Sequence, residues 1–492
     1  VSIELIGLII LVLGGAAVLW SSAAAFTVML CASLLMSAAA VFIGTANIQP
    51  GHLSIGLFVG AIAIRKGGLM AMMKTLSPSQ PGFWLLLCLA WAIMSAFVMP
   101  RLFFDAFPVY PPDEITATGQ IIERPLIPRG SNITQTIYLL GNLLAFAAAA
   151  AFARNHRAMR SVAFAVLIAG MVNLFFAVVD VVTHEIGMSH LLGFIRNAIY
   201  GQGFAHEVFG MKRITGSYPE ASTYAMVTTG LFAFLLRLWR AGIDLPFLLP
   251  VTGALFVTLL LSTSTTAYVA LAAYLAVVYG RQMTGSDRTL PLTRKGTTRQ
   301  GILISLLPVA GLAIATIVAL KPDLLDPVNE LFTEGIANKL QSQSGQERAR
   351  WNEAGIEAFL QTYGLGAGMG SIRASSLVIS LFANLGLIGS AFFFIYMARV
   401  FTYDTMKPRL AGPLAESQQI AAAARSGVFA LFIALSISGT MPDPGIQFSV
   451  FAGVASGLVF QRERESRARP EGYVMPEFDG PEGPPVMARG AS

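Results

Sequence analysis

Apolar residues fall in long runs over most of the chain, broken by short polar stretches. A bilayer core needs roughly 20 apolar residues per helix. Runs of this kind cover approximately 4–20, 22–44, 50–64, 82–100, 134–153, 160–182, 221–239, 243–262, 264–280, 301–320, 374–396, 426–441 and 446–461. The first and the last two are short, so the pattern predicts an all-α, polytopic membrane helix bundle of 12–13 spans over residues 1–461. Residues 462–492 are rich in Pro, Glu and Arg and lack an apolar pattern, which predicts a disordered tail. The first run has no basic n-region and no small-residue cleavage site, so it reads as a retained span. No internal repeat is visible, which counts against transporter folds built from duplicated halves.

The loop 321–373 has a pattern of its own. Asp326-Pro327 has the form of a helix start, and Val328, Leu331, Phe332 and Leu340 follow at helical spacing. Ser344-Gly345-Gln346-Glu347 has capping-box spacing. It predicts a second helix through Trp351 and Phe359 to Tyr363, ended by Gly364, Gly366, Gly368 and Gly370. The loop is thus expected to be two short amphipathic helices lying over the membrane.

Composition agrees with the pattern: 55% of the 492 residues are hydrophobic and 12% charged, against about 25% charged in soluble domains. The net charge of +6 would suit a nucleic-acid partner in a soluble protein. Here 22 of the 33 Lys and Arg fall in alternate loops and the tail. That asymmetry sets orientation instead and predicts those loops and the tail to be cytoplasmic. The loops 101–133, 183–220 and 321–373 then face the other side. Cys31 and Cys88 both lie inside apolar runs, so no disulfide framework is expected. The five histidines show no metal-ligand spacing, and a G-x-S-x-G elbow is missing.

Three segments on the far side carry candidate chemistry. In Arg213-Ile-Thr-Gly216-Ser-Tyr218-Pro219-Glu220-Ala-Ser222 a loop enters a span. A charged pair there marks either a polar cavity or an interfacial Arg that snorkels. In Glu347-Arg348-Ala349-Arg350-Trp351 two arginines stand at a helix start, where free N–H groups and the dipole suit an anion. The alternative is two solvated surface arginines. Gly366-Ala-Gly368-Met-Gly370-Ser371-Ile-Arg373-Ala374-Ser375-Ser376 is a flexible entry to the next span. It either cradles phosphate or ends a helix and packs closely.

Together these segments resemble the O-antigen polymerase and O-antigen ligase superfamily of membrane glycosyltransferases. Leu259-Leu-Leu-Ser262-Thr-Ser264-Thr-Thr-Ala267 and Leu385-Gly386-Leu-Ile-Gly389 add to the likeness, which covers about 134–395. The stretch Gly368–Ser376 is similar to exopolysaccharide polymerases. The resemblance implies a GT-C-type fold and a bacterial inner-membrane location. It also implies metal-independent transfer of a glycan from undecaprenyl diphosphate at the periplasmic face. On that likeness the catalytic positions are Arg213, Arg348 and Glu220, with both arginines on the diphosphate and no cofactor or metal. Gly216, Tyr218, Arg350, Gly368, Arg373, Ser375 and Ser376 would bind substrate. Ligases carry a His where this chain has Ser375, which favours polymerisation over ligation. Some members have an Arg within the Ser-rich motif, where this chain has Thr265.

The expected reaction is extension of a lipid-linked oligosaccharide; a dozen helices suits its rival as well, a lipid-linked glycan flippase or transporter. Other partners would be membrane lipids and further polysaccharide-assembly proteins, with no nucleic acid. Candidate bases are Glu220, then Asp180 and Asp443. Asp180 reads more readily as a carboxylate paired inside the bundle.

Overall fold

The computed structural model describes residues 1–43, 46–113, 122–198, 204, 207–208, 211–284, 295–302, 305, 343–402 and 413–468. The helices are α1 (Leu5–Trp20), α2 (Ser22–Ala32), α3 (Pro50–Ala63), α4 (Gly68–Thr75) and α5 (Pro81–Leu102). Then come α6 (Gly130–Phe152), α7 (His156–Glu185), α8 (Ala221–Arg240), α9 (Leu248–Leu261) and α10 (Thr265–Met283). The last four described are α11 (Gln343–Gln361), α12 (Leu377–Thr402), α13 (Pro413–Ser438) and α14 (Ile446–Ala468). Three small antiparallel ribbons join them. One pairs Ser2–Ile3, Val41–Ile43 and Ala46–Ile48; the others pair Pro108–Val109 with Arg124–Pro125 and Glu207–Val208 with Met211–Lys212.

The chain is a multi-pass helical membrane protein. Among the described residues α5, α6, α7, α8, α12 and α13 are long and apolar enough to cross a bilayer. The α3–α4 pair, bent by 115°, makes a seventh if counted as one broken span. This is fewer than the 12–13 full spans expected. The run 301–320 lies outside the described residues except for 301, 302 and 305, and α1, α2, α9 and the apolar part of α14 are shorter helices. The proposed helix over 328–340 also lies outside the described residues. At the other end of the chain α14 runs on to Ala468, past the expected boundary at 461.

Helix α8 is the centre of the bundle. Every residue in it but Met226 and Trp239 is buried, and it packs most closely against α13. Gly242, at φ 78°, ends the helix in a left-handed turn, and the Ile243 N–H reaches back to the Leu238 carbonyl (3.2 Å). On the outside, Phe164, Ile168, Met171, Phe175, Val178 and Val182 of α7 are exposed at three- and four-residue spacing. A continuous apolar stripe of that kind faces lipid rather than water.

Two breaks shape the end of the bundle that carries the candidate residues. The apolar run expected over 22–44 leaves the helix at Ala32, and residues 33–40 run as buried non-helical chain. Irregular backbone survives at this depth only where protein satisfies its polar groups. Here Ser37 N–H donates to Ser217 O (3.0 Å), Ala39 N–H to Asn197 Oδ1 (2.9 Å) and Gln447 Nε2 to Ser33 O (2.9 Å).

The second break is in α12, where Gly386 leaves the helical region (φ 63°, ψ −164°). A Cβ at Gly386 would lie 2.2 Å from Leu365 O, and one at Gly366 would lie 2.5 Å from Gly386 N. Two backbones therefore touch where only glycine fits. The Gly-rich run packs as the second of its two sequence readings has it. Its amides are taken by protein: Gly366 N–H by Thr362 Oγ1, Ala367 N–H by Ala383 O, Gly368 N–H by Asn384 O and Ser371 N–H by Asn384 Oδ1.

Candidate active site

The site lies above the N-terminus of α8, where three chain segments meet. Arg373 N–H donates to Tyr110 O (2.8 Å) and Ala374 N–H to Thr440 O (3.2 Å), which ties the 364–376 segment to its neighbours. Helix α11 lies over this end. Its Phe359 ring meets Phe382 of α12 edge-on at 5.5 Å, and Asn352 Oδ1 accepts the Ser375 N–H (2.7 Å).

Below the site a buried ionic knot fixes the loop that carries Arg213. The Asp180 carboxylate of α7 accepts five hydrogen bonds, from Arg196 Nη2, Lys212 Nζ, Thr215 N–H, Thr215 Oγ1 and Gly216 N–H. Its side chain is fully buried, and those of Arg196 and Lys212 are 6% and 1% exposed. Asp180 is thus the paired carboxylate of its second reading. Gly216 serves the knot through its amide and its left-handed backbone (φ 57°). Tyr218 is buried in the bundle and donates to Asn173 Oδ1 (2.8 Å).

Above the knot, Arg348 of α11 meets Glu220, the residue that precedes α8. Nη2 lies 3.1 Å from Glu220 Oε2 and donates also to Ser222 Oγ (3.3 Å), while the Ser222 hydroxyl donates to Glu220 (2.9 Å). Arg348 and Glu220 are 29% and 40% exposed, so the pair is open to solvent. Burial pushes the Glu220 carboxyl up, but Arg348, Arg373, the Ser222 hydroxyl and Arg213 outweigh it and hold it below its ordinary value.

Arg213 and Arg373 crowd the same carboxylate. The Arg373 guanidinium lies over the Trp351 ring, 4.7 Å from its centroid. Nε of both arginines is buried with no hydrogen-bond partner among the described residues. Burial lowers both from the ordinary arginine value, and Arg348 lowers them further by repulsion. Three guanidinium groups thus face one carboxylate. Glu347 also acts on Arg373, which leaves a net positive charge. With the buried Nε donors that lack partners among the described residues and the positive end of α8, the arrangement can hold an anion.

The structure brings together Arg213, Glu220, Arg348 and Arg373 of the sequence candidates. Arg350 is exposed; burial and Glu123 raise the Tyr110 hydroxyl, and the Arg350 charge opposes them by lowering it. Gly368, Ser375 and Ser376 are buried beside the site; Gly368 packs against Ser95 O and Pro100. The roles of Trp351 under Arg373 and of Ser222 between Glu220 and Arg348 were not assigned from sequence. An aromatic residue three positions after Arg348 is the one signal that points to the first. Among the described residues no three His, Cys, Asp or Glu side chains gather as a metal site.

Fold and site define a polytopic helical membrane protein with a cluster of arginines at one end of the bundle. No protein-family model matches the chain, and no curated protein matches it.

Proposed function

We propose that the chain is a metal-independent membrane glycosyltransferase. It extends lipid-linked polysaccharide by moving a glycan from undecaprenyl diphosphate to the sugar end of another lipid-linked unit. The observation that carries this reading is the meeting of Arg213, Arg348 and Arg373 around Glu220. As the bond to the anomeric carbon breaks, charge grows on the diphosphate, and fixed guanidinium groups stabilise it there. Glu220 holds Arg348 in place until the anion arrives. The resemblance to O-antigen polymerases and ligases, the exopolysaccharide type above all, supports the same reading. The absence of a His at Ser375 favours polymerisation over ligation.

The broken helices at 33–40 and Gly386 also suit a lipid-linked glycan transporter, whose sites form at such breaks. Purified protein given a lipid-diphosphate repeat unit separates the two. Longer glycans made without any other protein are the expected result. Flipping of the lipid without elongation rejects the transferase.

The distribution of basic loops supports a periplasmic site in a bacterial inner membrane. In a protein with Cys31 and Cys88 replaced, Glu123→Cys should react with an impermeant thiol reagent in cells with a permeabilised outer membrane, and Lys66→Cys should not. Both positions are exposed. Labelling of Lys66→Cys alone would reverse the orientation.

A further inference from the structure

A second polar cluster lies at the same end of the bundle and contains no arginine. It gathers His52 of α3, Tyr138 and Asn142 of α6, and Asp443 from the connection between α13 and α14. The rings of His52 and Tyr138 stack at 4.2 Å, and the Tyr138 hydroxyl donates to Asn47 O (3.0 Å). Asn142 Nδ2 and Gly445 N–H both donate to Asp443 Oδ1.

Among the described residues, both ring nitrogens of His52 and Oδ1 of the fully buried Asn142 lack hydrogen-bond partners. Asp443 Oδ2 accepts no hydrogen bond among the described residues, and Asp443 itself is only half-buried. Buried polar groups are normally satisfied, so unpaired donors and acceptors on neighbouring side chains mark a place for a polar ligand or water. An imidazole that can donate and accept, an amide oxygen and a carboxylate oxygen match the hydroxyl groups of a sugar.

The cluster is also within reach of the arginines. Thr440, whose carbonyl accepts the N–H of Ala374 beside Arg373, precedes Asp443 by three residues. Three residues of chain span at most about 11 Å. Of the three candidate bases, Asp180 is saturated by its five bonds and Glu220 is ion-paired with Arg348. Asp443 has no ion pair among the described residues.

We propose that this cluster is the acceptor subsite, with Asp443 as the base that receives the proton of the attacking hydroxyl. The proposal rests on the glycosyl-transfer reading above. The acceptor oxygen bonds to the anomeric carbon, and the bond from that carbon to the phosphate oxygen breaks. Its electron pair leaves on the diphosphate between the arginines, and the hydroxyl proton moves to the Asp443 carboxylate and then to water. Burial pushes Asp443 up to about 6, against the opposing pull of Gly445 N–H and Asn142. A base works best with its titration near the working pH. The titratable group that interacts with it is Tyr138 of α6; His52 of α3 stacks on that ring, and Gln447 of α14 is neutral and bonded to Ser33.

The test uses full-length protein in liposomes with a lipid-diphosphate repeat unit. Wild-type kcat should fall as pH drops through about 6, because protonated Asp443 cannot accept the proton. Asp443→Asn should lower kcat at least ~100-fold, leave the donor KM little changed and abolish the acid limb. His52→Gln should raise the KM for acceptor. If wild type elongates glycans and a folded Asp443→Asn retains most of its kcat, the subsite is wrong and the transferase reading stands. If wild type makes no longer glycan at all, both fall. Should Asp443→Asn not fold, a wild-type kcat that stays flat from about pH 5 to 8 overturns the proposal.

Discussion

Arg348→Ala should abolish glycan extension while Arg350→Ala leaves it close to normal at equal expression. The two arginines are two positions apart on α11, and residues of an α-helix advance about 100° each. One rigid helix therefore cannot turn both into a single cavity. Arg348 meets Glu220 and Ser222, whereas Arg350 is exposed. Removing one fixed donor from a site where charge develops costs roughly 100- to 1000-fold in kcat. Arg348→Lys keeps the charge but loses the planar fork that grips two phosphate oxygens, so strong impairment is expected. Arg213→Ala should resemble Arg348→Ala. Glycan ladders on a gel read all four variants. A dead Arg350→Ala beside an active Arg348→Ala would put the diphosphate on the other face of α11 and end this assignment.

Helix phase is local, so the inward face of Arg348 was legible in the sequence, whereas the resemblance that also put Arg350 on the substrate is not matched by its exposed position. Once Ser344–Glu347 starts a helix, Trp351, Gly355 and Phe359 define the face that packs, and Arg348 lies near it. In the structure a Cβ at Gly355 would lie 3.0 Å from Ile379 Cγ2, which is that packing. The convergence of Arg213, Arg348 and Arg373 was not legible, since it depends on how α8, α11 and α12 pack. Arg373 stood in the sequence only as part of a Gly-rich entry. Its place over Trp351 follows from the Gly364–Gly370 run folding back onto Gly386, a contact between segments that no periodicity encodes.

The spans show the same boundary. Runs such as 82–100 and 134–153 match α5 and α6 within a few residues because apolar length alone sets them. The run 22–44 looked equally continuous, yet the helix stops at Ala32. Its residues are apolar enough for a helix, and what unwinds them is long-range: Ser217, Asn197 and Gln447 supply the bonds that helix geometry would have made. Hydropathy measures the cost of leaving water and is blind to polar partners brought from elsewhere in the chain.

Asp180→Ala should destabilise the protein severely. The substitution would leave Arg196 and Lys212, 6% and 1% exposed, without their shared anion. Removing one partner of a buried ion pair costs about 3–5 kcal/mol, because the remaining charge stays buried. Here two cations remain, and Thr215 N–H and Gly216 N–H lose their acceptor as well. The melting temperature should fall by several degrees or more, and Asp180→Asn, which keeps the shape but not the charge, should fall less. The triple variant Asp180→Leu, Arg196→Met, Lys212→Met should recover part of the stability, since well-packed apolar groups often replace a buried ionic cluster at no loss. It should not recover glycan extension, because the knot also fixes the loop that aims Arg213 at Glu220. Stability and activity would then part company in one protein. If the Asp180→Ala protein melts at the wild-type temperature, the knot does not hold this end of the bundle. If the triple variant extends glycans at the wild-type rate, Arg213 does not depend on it.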